Sequence, residues 1–268
     1  MKTSSPEPGL CPAFQEDPWL SLQKWTDARI ALGRAGTAIP TSPLLEFQLA
    51  HARARDAVQT PCDFSGVRET AAGLDMNTVE VASRAKDRAE YLRRPDYGRL
   101  LDESSKVLLT NQPAIAGGFD VCLVVADGLS SQAVETQAGP MLEVLVPLIR
   151  AKRYSLAPLV CATQARVALA DEIGEQLDAA LTVIFVGERP GLSSPDSLGA
   201  YLTWNPRRGL QNADRNCVSN IRPAGLNFES AAQTLMNLIR GAFLLRLSGI
   251  KLKEDSYLEA PPDRGQLG

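Results

Sequence analysis

The stretch LTVIFVGERPGLSSPDSLGAYLTW, residues 181–204, carries the clearest structural signal in the chain. Leu181–Val186 is an apolar run that reads as a buried strand. It ends abruptly in Gly187-Glu188-Arg189-Pro190-Gly191. Glu188 and Arg189 are costly to bury unpaired. Pro190 cannot donate to a sheet ladder, and it pushes the residue before it out of the helical region. The two glycines let the backbone turn or come close to something. The chain therefore leaves a core here, presents a carboxylate and a guanidinium, and turns. That pattern suits a surface loop with a local ion pair, and it equally suits a ligand seat at the end of a strand.

Working outward, the same grammar recurs upstream. Phe119 to Val125 reads as a buried strand that stops at Asp127-Gly128. A helix follows from Ser130 to Ala151, with Pro140 and Pro147 expected to kink or split it. Leu156 to Cys161 is a second strand, and Gln164 to Leu177 a helix that leads into Leu181–Val186. Strand, helix, strand, helix, strand with short links implies a parallel sheet with right-handed crossovers. Gly199 to Trp204 is a fourth strand, followed by a polar loop, RNCVSN, at 215–220. A last helix starts after Asn227, carries Ala231, Leu235, Leu238, Ile239 and Phe243 on its apolar side, and ends at Gly249. The expected class is α/β: a Rossmann-like, open, mostly parallel sheet flanked by helices, with an N-terminal helical extension.

The domain organisation follows from composition. Residues 1–18 hold four prolines and read as a flexible leader. Residues 19–112 read as the helical segment. Leu22, Trp25, Arg29 and Leu32 have helical spacing, and Ser42 followed by Pro43 signals the start of a helix running to Val58. Residues 61–76 read as a loop. A helix is expected from Asn77 or Thr78 to Pro95, and a shorter one over Tyr97 to Leu108. Residues 113–249 form the α/β domain, and 250–268 a frayed tail.

Several chemistries are disfavoured at once. A net charge of −3 gives no electrostatic case for nucleic acid. No apolar run is long enough for a membrane span, and Met1 to Gln15 lacks the features of a secretory signal. The five cysteines, at 11, 62, 122, 161 and 217, are widely spaced and match neither a disulfide framework nor a zinc site. A reducing cytoplasm is the natural compartment. The chain has one histidine, His51, inside the arginine-rich AHARAR, so a His-based triad or multi-His metal site has little to draw on.

In an open parallel sheet, ligands bind outside the carboxyl ends of the strands. Those ends are Ala126-Asp127-Gly128, Ala162-Thr163-Gln164 and Gly187–Gly191. No G-x-G-x-x-G follows the first strand and no Walker lysine is present, so dinucleotides and nucleoside triphosphates are not supported. N–H donors with one carboxylate acceptor suit a neutral ligand fringed with amides.

Five motifs then carry a resemblance: GRAGTAIPTSPLLEFQLAHARARDAV, VVADGLS, ARVALADEIGEQLDA, GERPGLSSPDSLGAYLTWNP and RNCVSNIRPAGL. Together, over about residues 19 to 249, the chain resembles the small subunit of ethanolamine ammonia-lyase. The resemblance implies an adenosylcobalamin-dependent lyase that converts ethanolamine to acetaldehyde and ammonia by radical chemistry. It implies a TIM-barrel large subunit that holds the substrate, in a hetero-oligomer of six large and six small subunits. Cobalamin then lies between the two chains, and no catalytic residue falls on this one. Carried over by motif, the cofactor contacts are Val167, Glu188 and Cys217. The histidine signature that replaces the nucleotide base in other cobalamin proteins is missing, so the cofactor is expected base-on. The family also brings in a bacterial microcompartment as a location. A stand-alone α/β cofactor-binding protein and a structural adaptor stay open as alternatives.

Overall fold

The computed structural model describes residues 17–253. The expected leader up to residue 16, and the tail from residue 254, lie outside the described residues. The described chain divides into two compact units, residues 17–55 with 191–193 and residues 56–190 with 194–253.

In the first unit, the helix expected from Trp19 to Leu32 is only a short 3-10 turn, Leu20–Trp25. Its spacing is helical, yet Trp19 and Trp25 stay 65% and 78% exposed, so no apolar face is buried to hold a longer helix. Helix α1, Thr41–Gln59, starts within two residues of the expected place, and its last turn belongs to the second unit. His51 is exposed on α1, with Phe47 stacked beside it.

The second unit contains one six-stranded mixed sheet between two layers of helices. After α2 (Ser65–Gly73) come β1 (Thr78–Ala82), α3 (Arg88–Arg93) and α4 (Glu103–Thr110). The α/β run follows as β2 (Phe119–Ala126), α5 (Ser131–Ala151), β3 (Leu159–Thr163), α6 (Leu169–Gln176), β4 (Ala179–Gly187), β5 (Leu198–Trp204), β6 (Arg215–Ile221) and α7 (Phe228–Leu245). The strand order is β1-β3-β2-β4-β5-β6. Strands β1, β3, β2 and β4 pair in parallel, whereas β5 and β6 are added antiparallel.

Strand alternation divides the core into two layers. Val121, Leu123, Val125, Val183 and Phe185 face α2, α5 and α7, while Cys122, Val124, Ala126, Ile184 and Val186 face α4 and α6. Strand β2 lies at the centre and is buried on both sides, which explains the unbroken apolar run 121–126. Truncating Leu123 to Ala costs about 2–5 kcal/mol.

Four expectations are corrected. The segment 61–76 contains α2, whose first turn is held by Asp63: its carboxylate accepts the Ser65 N–H and hydroxyl, both over 2.8 Å. The helix expected from Asn77 is strand β1. Val79 and Val81 point into the core with Glu80 between them on the other side, an alternation hidden by the helical spacing of Val81, Ala85, Ala89 and Leu92. The helix begins afresh at α3, where Asp87 accepts the Glu90 N–H at 2.7 Å. The RNCVSN segment is not a loop but edge strand β6, whose polar residues sit mainly on exposed positions. Helix α7 ends at Leu245 instead of Gly249, with Arg246 in the left-handed region at φ 53°.

Helix α5 runs unbroken through both prolines. Beyond α7, Leu252 is buried and not frayed: Asn216 of β6 donates to its carbonyl at 2.8 Å. Among the described residues, no helix is long and apolar enough to cross a membrane.

Candidate functional site

Asp127 ties the carboxyl ends of β2 and β3 together. Its buried carboxylate accepts the Gln164 N–H at 2.9 Å and the Ala165 N–H at 3.0 Å, and pairs with Arg88 at 3.2 Å. Burial pushes this carboxyl up, and Arg88 and the backbone donors oppose the push. The ends of β2 and β4 also touch. Leu129 donates to the Gly187 carbonyl at 2.8 Å, and Gly128, at φ +57°, lies where a Cβ would come within 2.3 Å of that oxygen.

These ends enclose an open cavity of about 420 Å³. Its walls include Leu129, Val167, Val186, Glu188, Arg189 and Tyr201. Arg166 forms another part of the wall, and its guanidinium lies 4.3 Å from the ring centre of Tyr91. Tyr91 is buried, and its hydroxyl donates to the Ala165 carbonyl at 3.0 Å.

The three residues singled out by sequence arrive here by different routes. Val167 lines the cavity but does not sit in the first turn of a helix. It belongs to the turn before α6, where its carbonyl accepts the Ala170 N–H. Glu188 follows β4 and lines the cavity. Its Oε2 accepts the Ser197 hydroxyl and, at 3.3 Å, the Asn220 N–H. The loop that carries it is closed by Glu188 N–H to Ser197 carbonyl and anchored by Ser130, whose hydroxyl donates to the Pro195 carbonyl at 2.6 Å.

Among the described residues nothing donates to Glu188 Oε1, and no ion pair joins Glu188 to Arg189. The surface ion-pair reading of this loop is thereby displaced. Cys217 does not line the cavity. It sits on β6 opposite Tyr201, which does. Cys217 is an exposed residue whose sulfur is partly shielded. That burial, with Glu188 nearby, pushes the thiol up, and the Tyr201 hydroxyl pulls it down. Burial likewise pushes the Tyr201 phenol up.

The rim thus combines a fixed carboxylate with an unused oxygen, two guanidiniums and an apolar wall. It suits recognition better than acid–base chemistry. Sequence reasoning passed over Asp127, Tyr91, Arg166 and Tyr201 as individual residues. Asp127 had a signal, because an acid ending a buried strand needs partners. The place of Tyr201 follows only once β5 is known to run antiparallel.

The chain matches the family model described as Ethanolamine ammonia-lyase light chain (EutC) over residues 16–253. It belongs to that family. It is 50% identical over 240 residues to the ethanolamine ammonia-lyase small subunit of Ralstonia nicotianae, covering 89% of each chain. It is 50% identical over 249 residues to that of Pseudomonas aeruginosa, covering 92% of this chain and 91% of the relative. For the Azotobacter vinelandii subunit the identity is 49% over 242 residues, with 90% of each chain covered. The family match therefore takes in the whole rim, β1 through β6.

Proposed function

We propose that this rim is one half of an adenosylcobalamin seat, and that the chain acts as the small subunit of an ethanolamine ammonia-lyase. In this reading a TIM-barrel large subunit holds ethanolamine, completes the seat and carries out the conversion to acetaldehyde and ammonia. When bound, the coenzyme supplies the weak cobalt–carbon bond from which radical chemistry starts. This chain supplies position.

The residues present fit such a group. A corrinoid with its nucleotide tail is larger than the pockets that enclose drug-sized ligands. A cavity of about 420 Å³ open to solvent accepts one edge of it and leaves the remainder to a second surface. Glu188 Oε1 accepts an amide N–H from the corrin fringe, while Ser197 and Asn220 hold Oε2 still. Leu129, Val167 and Val186 exclude water along that edge. Cys217 supports the wall through Tyr201 and has no need of a thiolate. The chain's one histidine, His51, stands outside the signature that replaces the nucleotide base, so the cofactor is taken to keep its own base on cobalt.

The observation that carries the reading is the free Oε1 of an otherwise fixed Glu188. Its test is Glu188→Gln in the assembled two-subunit enzyme, titrated with cobalamin by absorbance. The substitution keeps an acceptor for Ser197 and removes the charge. The expected result is about tenfold weaker binding with an unchanged circular dichroism spectrum. Unaltered affinity contradicts the reading.

A further inference from the structure

Beside the corrinoid rim lies a second concavity of about 450 Å³, on the amino-terminal side of α6. Arg99, Arg166 and Arg208 line it, from the turn after α3, the turn before α6 and the β5–β6 connection. Its one carboxylate, Asp171, pairs with the buried Arg215 through Oδ2, while its Oδ1 has no hydrogen-bond partner. Among the described residues no acid pairs with Arg99, Arg166 or Arg208. Two buried guanidinium nitrogens at this cleft, Arg166 Nε and Arg215 Nε, have no hydrogen-bond partner, and the Arg215 side chain is only 3% exposed. A buried donor without an acceptor is expensive unless something completes it. Three uncompensated cations around one hollow also repel each other.

We infer that this cleft is a phosphate-binding site. A tetrahedral oxyanion offers enough acceptors to be shared among guanidiniums arriving from three elements, and their planar forks match it. Arg166 and Val167 belong to both concavities, so two sources share this chemistry. One is a free phosphate or phosphate monoester. The other is the phosphodiester in the nucleotide tail of a corrinoid seated next door. The inference itself does not depend on the corrinoid, since the arginines define the cleft without it.

The test is calorimetric titration of the full chain, without corrinoid, with inorganic phosphate at an ionic strength held constant by chloride. Wild type shows saturable binding. The double variant Arg99→Gln with Arg208→Gln, both at exposed positions, weakens it about tenfold or more with an unchanged melting temperature. Arg94→Gln, which removes a surface guanidinium paired with Asp96, leaves it unchanged. No saturable binding in wild type overturns the inference, as does equal loss in the Arg94 variant or none in the double variant. Competition then separates the sources. Displacement of phosphate by cyanocobalamin but not by cobinamide, which lacks the nucleotide tail, assigns the cleft to the corrinoid phosphodiester. Displacement by neither assigns it to a free phosphate. Both of these outcomes require the site, and neither depends on the Glu188 titration.

Discussion

The carboxylate of Asp127, one residue past the end of β2, accepts the backbone N–H of Ala165, two residues past the end of β3, over 3.0 Å. This contact brings two separate loops to one rim, with Arg88 as the third member. Asp127→Ala leaves Arg88 buried without its acid and two N–H groups without an acceptor. The expected loss is about 3 kcal/mol of stability, read as a lower denaturation midpoint. Cobalamin binding by the assembled enzyme falls with it. Arg88→Met with Asp127→Leu, which removes both charges, recovers part of the stability.

Gly199 lies under Glu188. A Cβ on Gly199 would sit 2.8 Å from Oε1 and 3.1 Å from Cγ of that side chain. Gly199→Ala therefore moves the carboxylate off its Ser197 and Asn220 donors. The prediction is about tenfold weaker cobalamin binding with the sheet intact. The check is the same absorbance titration, alongside a thermal melt.

Thiol reactivity separates the described cysteines. Cys122 and Cys161 are buried in the two core layers, and burial pushes each thiol up to about 12. Burial, with Asp127 and Glu135 nearby, also holds Cys62 far up. In a Cys11→Ser background, a thiol reagent at neutral pH labels Cys217 first, and the other three only on unfolding. Saturating cobalamin slows the Cys217 reaction. Peptide mapping after labelling reads out both effects.

Asp102 caps α4 by accepting the Ser105 N–H at 2.7 Å. Burial raises its pKa, but the hydrogen bonds from Ser105 and Ser104 and the charge of Lys106 outweigh that and leave it lowered. A lowered folded pKa means that ionised Asp102 supports the fold fully above its unfolded value of about 3.9. The support disappears as pH falls through the lower folded value. Asp102→Ala thus costs about 1 kcal/mol at pH 6, and the gap to wild type closes below about pH 4. Denaturation midpoints across that range measure it.

The parallel core was legible because β2 and β4 are buried on both faces, and such strands read as continuous apolar runs with clear ends. The starts of α5 and α7 were legible as well, and in the structure Ser130 and Asn227 each accept the N–H three residues on. Strand β1 was not. With only Val79 and Val81 pointing inward, its alternation is too short to outweigh the helical spacing of the alanines after it. Strand β6 hid because an edge strand needs polar residues on its exposed side. At the site, Glu188 could be seen from its place after a buried strand. The contacts through Tyr91, Tyr201 and Asp127 are made across the sheet between residues far apart in sequence, and local pattern carries no sign of them.

The proposed seat stands or falls on whether Glu188 meets the corrinoid. The most direct measurement is the distance from its Oε1 to the nearest corrinoid nitrogen in a structure of the cobalamin-bound two-subunit enzyme. Hydrogen-bond distance, about 2.7–3.2 Å, is expected, with Val167 against the same edge of the ligand. A corrinoid seated elsewhere, with the β2, β3 and β4 ends facing solvent, contradicts it.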